Sequence, residues 1–177
     1  MKRVTCGRFL AGLVVASSLW GASSWKLPLV LAARRPEPRA ALVRLYFDRG
    51  QRSCQRRSYD SAICDLSEAL RLAPEYVDAY VGRAACWSAK RDWGRAIEDL
   101  STAIRYDPKC AEAYRMRGSH RRAEGAFDLA IADLNEAIRL APLSHQSFSE
   151  RGHAWFAKGE FMMARADYDA ASKLIGP

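Results

Sequence analysis

Residues 64–74 read CDLSEALRLAP, residues 98–108 read EDLSTAIRYDP and residues 132–142 read ADLNEAIRLAP, one pattern written three times at intervals of 34 residues. A weaker fourth copy, ADYDAASKLIGP, occupies 166–177. A fixed period of this length in a chain of 177 residues admits few folds. Each copy must belong to one supersecondary unit whose apolar face is covered by the next unit.

Upstream landmarks return at the same interval: Tyr46, Tyr80, Tyr114 and Phe148; then Gly50, Ala84, Gly118 and Gly152; then Ala62, Ala96, Ala130 and Ala164. Within a unit, two apolar-periodic segments of about thirteen residues flank a short break, as expected for a pair of helices. Leu66, Ala69 and Leu70 repeat as Leu100, Ala103 and Ile104 and as Leu134, Ala137 and Ile138, a spacing that places them on one helical stripe. The small Gly/Ala positions let the paired backbones approach. The closing Pro74, Pro108 and Pro142 cannot continue a helix. In the last copy, Arg165 and Ser172 stand where the others carry Ile or Leu, so a polar terminal face that completes the array is expected.

Over 43–177 this pattern resembles the tetratricopeptide repeat (TPR) family. Tyr or Phe replaces that family's leading Trp, and Arg replaces the Leu before its Gly. The resemblance implies an all-α fold, a right-handed solenoid of four antiparallel helix-turn-helix repeats (eight helices) behind an apolar leader. The units fall at about 43–76, 77–110, 111–144 and 145–177. The resemblance also implies a concave groove lined by the first helices, which binds a protein or peptide. By register the groove residues are Arg44, Phe47, Gln51, Arg115, Ser119, Arg122, His153 and Phe156, with Cys54, Asp78, Val81, Ala85, Ser88, Glu112, Gln146 and Ser149 among them. The branch of the family that clamps acidic chaperone tails uses Lys and Asn at positions that here hold Phe47, Gln51, Gly82, Glu112 and Met116, so that clamp is absent. Arg115 and Arg122, seven residues apart on one helical face, would instead offer charge to an acidic residue flanked by apolar anchors.

Arg49, Arg83, Arg117 and Arg151 recur at the period, and so do Asp65, Asp99, Asp133 and Asp167, each sixteen residues later. A planar guanidinium grips a carboxylate with two bonds, so these are expected to be structural pairs, either within a unit or between neighbours.

Residues 1–33 form the leader. MKRVTCGR is followed by seventeen uncharged residues, Phe9 to Trp25, and then by Lys26 and LPLVLAA. A basic start with an apolar stretch reads as a signal peptide or a membrane anchor, with an organelle-targeting segment as the alternative. Export or membrane anchoring through this segment is therefore expected, with residues 34–42 as a linker.

The net charge of +8 suggests nucleic acid, but seven of the 28 Lys/Arg residues and only one of the 20 acids lie in 1–42. The repeats are nearly neutral, which excludes a phosphate-gripping face. The five cysteines form no CxxC and the three histidines are scattered, so no metal site is expected. Register puts Cys64 on the outer side, Cys86 in the core and Cys110 in a loop, with no bridgeable pair. Cys54 and His153 both map to the groove but sit three units apart, roughly 30 Å at helix-packing distances. A nucleophile and its base need about 3 Å. No phosphate loop or serine elbow appears, so no catalytic or cofactor-binding residues are expected. The expected function is a non-catalytic protein-binding scaffold. The alternatives are a structural subunit of a membrane-associated complex, touching partners through its edges, and a small regulator of an enzyme.

Overall fold

Leu66, Leu100 and Leu134 are fully buried, one from the second helix of each of the first three units. In a computed structural model that describes residues 38–176, eight helices run in sequence: α1 Pro38–Gln55, α2 Tyr59–Leu72, α3 Val77–Ala89, α4 Trp93–Tyr106, α5 Ala111–Ala123, α6 Phe127–Leu140, α7 His145–Lys158 and α8 Phe161–Ile175. No strand occurs among the described residues. Each helix packs on the next in the chain, and α1, α3, α5 and α7 also touch in succession. The result is a solenoid of four hairpins whose first helices share one side.

The helix begins at Pro38, so residues 38–42, expected to be linker, belong to α1. Proline suits the first helical position because its fixed φ is already helical and its missing N–H has no intrahelical acceptor there. The expected leader, 1–33, lies outside the described residues. None of the described helices is long and apolar enough to cross a membrane.

The hairpin turns reuse one device. Arg57, Arg91, Gly125 and Gly159 occupy equivalent positions and all adopt positive φ, between 60° and 90°. The first two units hold an arginine in this left-handed conformation, where glycine in the last two is unstrained. After the turn, α2, α4 and α6 end just before their prolines.

Packing between the helices of a hairpin requires small residues. A Cβ on Gly118 would lie 2.8 Å from Leu134 Cγ and 3.0 Å from the Ala130 carbonyl oxygen. Between hairpins, Ala79, Ala113 and Ser147 are buried at equivalent points of the first helices. Tyr168 stands where the other units carry the buried Leu, and its ring fills the space beside Gly152.

The expected polar terminal face is not what α8 presents. Arg165 and Ser172 cover only its middle turns, while Phe161, Met162 and Met163 at its start and Leu174 and Ile175 at its end are exposed, Met162 by 79%.

Candidate partner-binding groove

The first helices of three units enclose a groove of about 650 Å³. Phe47, Gln51 and Cys54 come from α1, Asp78, Val81, Gly82 and Ala85 from α3, and Glu112, Arg115 and Met116 from α5. The spacing of three and four residues puts these side chains on one face of each helix. Phe47 is held from behind by Tyr76, ring centroids 5.0 Å apart. All five positions at which the acid-binding branch carries Lys and Asn line this groove: Phe47, Gln51, Gly82, Glu112 and Met116. Phe47, Gly82 and Met116, with Val81 and Ala85, give the groove an apolar surface beside the polar Gln51, Asp78, Glu112 and Arg115.

Among the other residues assigned to the groove from sequence, Arg44 faces a separate depression with Val43, Glu75 and Tyr76. Ser119, Arg122, His153 and Phe156 do not line the main cavity. The His153 ring lies against Tyr168, centroids 5.5 Å apart, and Phe156 meets Phe161 edge-on at 5.3 Å.

Arg115 and Arg122 are not a free cationic pair. Arg115 Nε and Nη2 donate to both oxygens of Glu112 at 2.9 and 2.5 Å, and this bond raises the Arg115 pKa. Arg122 Nη2 reaches Glu150 of the next unit at 3.4 Å. Both guanidinium groups are mostly buried, so each draws in a carboxylate that offsets its desolvation. An exposed cationic face was expected, and this corrects it.

The Arg/Asp series forms a column away from the groove. In every unit the guanidinium Nε and Nη2 donate to the two oxygens of the Asp sixteen residues on: Arg49–Asp65, Arg83–Asp99, Arg117–Asp133 and Arg151–Asp167, at 2.5–2.9 Å. Each Arg also lies over the aromatic ring three residues before it, Tyr46, Tyr80, Tyr114 or Phe148. The third nitrogen, Nη1, crosses to the preceding unit, reaching Ser67 from Arg83, Ser101 from Arg117 and Asn135 from Arg151. The spacing Tyr46–Arg49 carried the signal for the stacking. Nothing in the sequence pointed to the Nη1 contacts.

Two contacts between units were also not legible in the sequence. His120 Nε2 and Ser88 Oγ lie 2.6 Å apart, and Ser88 Oγ donates to the Ala84 carbonyl oxygen, so the imidazole N–H is the donor. His120 stacks on Trp93, and burial lowers its pKa. At the equivalent contact one unit earlier, Cys54 and Cys86 bring their sulfurs to 2.8 Å, although no bridgeable pair was expected. Burial is the main cause pushing the Cys86 thiol pKa up. Among the described residues no group of three or more His, Cys, Asp or Glu side chains could hold a metal.

The tetratricopeptide-repeat profile matches residues 88–145. Similar solved structures include MamA, with a TM-score of 0.71 and 22% identity over 75% of this chain and 78% of that one. The first TPR domain of Spaghetti (RPAP3) bound to the HSP90 peptide SRMEEVD has a TM-score of 0.66 and 19% identity over 67% of this chain and 94% of that one. The Arabidopsis OM64 TPR domain has a TM-score of 0.63 and 22% identity over 66% and 96%. No curated protein matches the chain. With the tetratricopeptide-repeat match over residues 88–145, the same register in all four hairpins and these neighbours in fold, the described chain has the tetratricopeptide-repeat fold.

Proposed function

We propose that the chain is a non-catalytic scaffold that holds an extended segment of a protein partner in the groove of α1, α3 and α5. The observation that carries this reading is the floor of Phe47, Val81, Ala85 and Met116, an apolar surface open to solvent between three helices. The RPAP3 domain binds the acidic peptide SRMEEVD. Here the corresponding positions are apolar, neutral or acidic. An acidic ligand would have to displace Glu112 from Arg115, against charge repulsion from Asp78 and Glu112. The fitting segment has an apolar anchor that seats between Phe47 and Met116, with neutral or basic flanks.

A display library of random twelve-residue peptides, selected on the full chain, tests this. Selected peptides share an apolar anchor, and Val81→Asp or Met116→Asp weakens them at least tenfold with the circular dichroism spectrum unchanged. Unchanged affinity for both variants would refute groove binding.

Edge contact is a second reading, supported by the cluster of Phe156, Phe161, Met162 and Met163 at the α7–α8 end. In that case Met162→Lys releases the partner and Val81→Asp does not. We further propose that residues 1–33 export or anchor the protein. Cell fractionation with N-terminal sequencing tests this, and intact chain in the soluble cytosol would contradict it.

A further inference from the structure

Cys54 sits in the last turn of α1 on the groove wall, partly open to solvent, while Cys86 on α3 is fully buried in the core between the first two units. Both are free thiols, and their sulfurs are 2.8 Å apart although 32 residues separate them. The equivalent contact between the next two units is Ser88 with His120, also 32 residues apart, which has no thiol chemistry. The fold brings the last turn of one first helix against the next first helix, and at one such point both residues are cysteines.

We propose that Cys54 and Cys86 are a dithiol site that small disulfides of the glutathione class oxidise to a bond joining α1 to α3 at the groove wall. A disulfide places its sulfurs about 2.05 Å apart, so closure needs less than about 1 Å of movement. Exposure decides the order of events. The Cys54 thiolate attacks one sulfur of R–S–S–R, the S–S bond breaks, and one thiol R–SH leaves after taking up a proton. Cys86, poised against Cys54 Sγ, then loses its proton and attacks that sulfur, expelling the second R–SH. Two electrons pass from the two cysteines to the small disulfide, and both thiol protons end on the released R–SH. Burial keeps Cys86 protonated and sheltered until the mixed disulfide forms beside it. This inference does not depend on what the groove binds.

The test uses reduced full-length protein, incubated folded with oxidised glutathione, alkylated and digested with trypsin. The expected product is a cross-linked pair of the peptides SCQR (53–56) and AACWSAK (84–90), lighter by two hydrogens than their sum and separated by reductant. Cys86→Ser is expected to stop the reaction at a glutathione adduct on Cys54. Recovery of the two wild-type peptides uncrosslinked, as free thiols or as separate glutathione adducts, would overturn the proposal. The wild-type peptide map decides the matter whether or not the variant folds.

Discussion

Arg117 grips Asp133 across α5 and α6 with bonds of 2.9 and 2.7 Å, and Arg121 Nη1 adds a third bond to the same carboxylate at 2.8 Å. The Arg117 side chain is only 14% exposed, whereas Arg49 in the matching pair of the first unit is 57% exposed. The difference has a structural cause. Each Arg after the first is bonded through Nη1 to the unit before it, and Arg49 has no such bond among the described residues.

Removing the carboxylate therefore strands a buried cation in three units and a solvated one in the first. Asp99→Ala, Asp133→Ala and Asp167→Ala are each expected to cost about 3 kcal/mol or more. Asp65→Ala is expected to cost about 1 kcal/mol, because water replaces the lost partner. Urea melts of the four variants check this. Asp167, although in the last unit, belongs with the costly group because Arg151 is as enclosed as Arg83.

Two glycines should respond with opposite signs. Gly118→Ala drives a methyl group into Leu134 and the α6 backbone and is expected to cost about 1–3 kcal/mol. A Cβ on Gly94 meets nothing within 4 Å, so Gly94→Ala is expected to stabilise by about 0.5 kcal/mol through reduced chain entropy. Thermal melts that rank the two the other way would contradict the helix packing.

His120 makes stability depend on pH. Its pKa is lowered from the ordinary 6.5, first by burial and then by Arg115, with Glu150 opposing. The unfolded chain therefore takes up a proton near pH 6.5 that the folded chain refuses. The stability due to the neutral buried ring is complete above that pH and falls as pH drops from 6.5 towards the lower folded value. His120→Gln removes this part of the acid-side slope. Parallel denaturation curves between pH 7 and pH 5 measure the difference.

The repeats carry their own core, so a chain cut to residues 38–177 is expected to be helical and to melt cooperatively. Circular dichroism at increasing temperature checks this. Starting at residue 43 instead removes five helical residues of α1, including Arg39, whose Nε donates to the Leu72 carbonyl oxygen at 2.8 Å. That shorter chain is expected to melt lower.

Phe47, Gln51 and Arg115 were recognisable as groove residues because first helices repeat in register, so a position in one unit predicts its equivalents. Ser119, Arg122, His153 and Phe156 share that register, yet the cavity does not reach them. Their surroundings depend on what the adjacent unit offers. Arg122 met Glu150, and Phe156 met Phe161.

By itself the sequence determined the period, the paired helices, the buried leucine stripe and the in-register Arg and Asp series, because these recur at fixed spacings in every unit, while the structure settled that each Arg takes the Asp of its own unit. Only the tertiary structure decided that Arg122 is occupied by Glu150, that Asp65 belongs to the most exposed of the four Arg/Asp pairs, that α8 leaves apolar side chains exposed and that Cys54 meets Cys86. Those outcomes depend on the angle and offset at which one hairpin stacks on the next. Stacking is set by the summed packing of many side chains, and no periodicity along the chain encodes it.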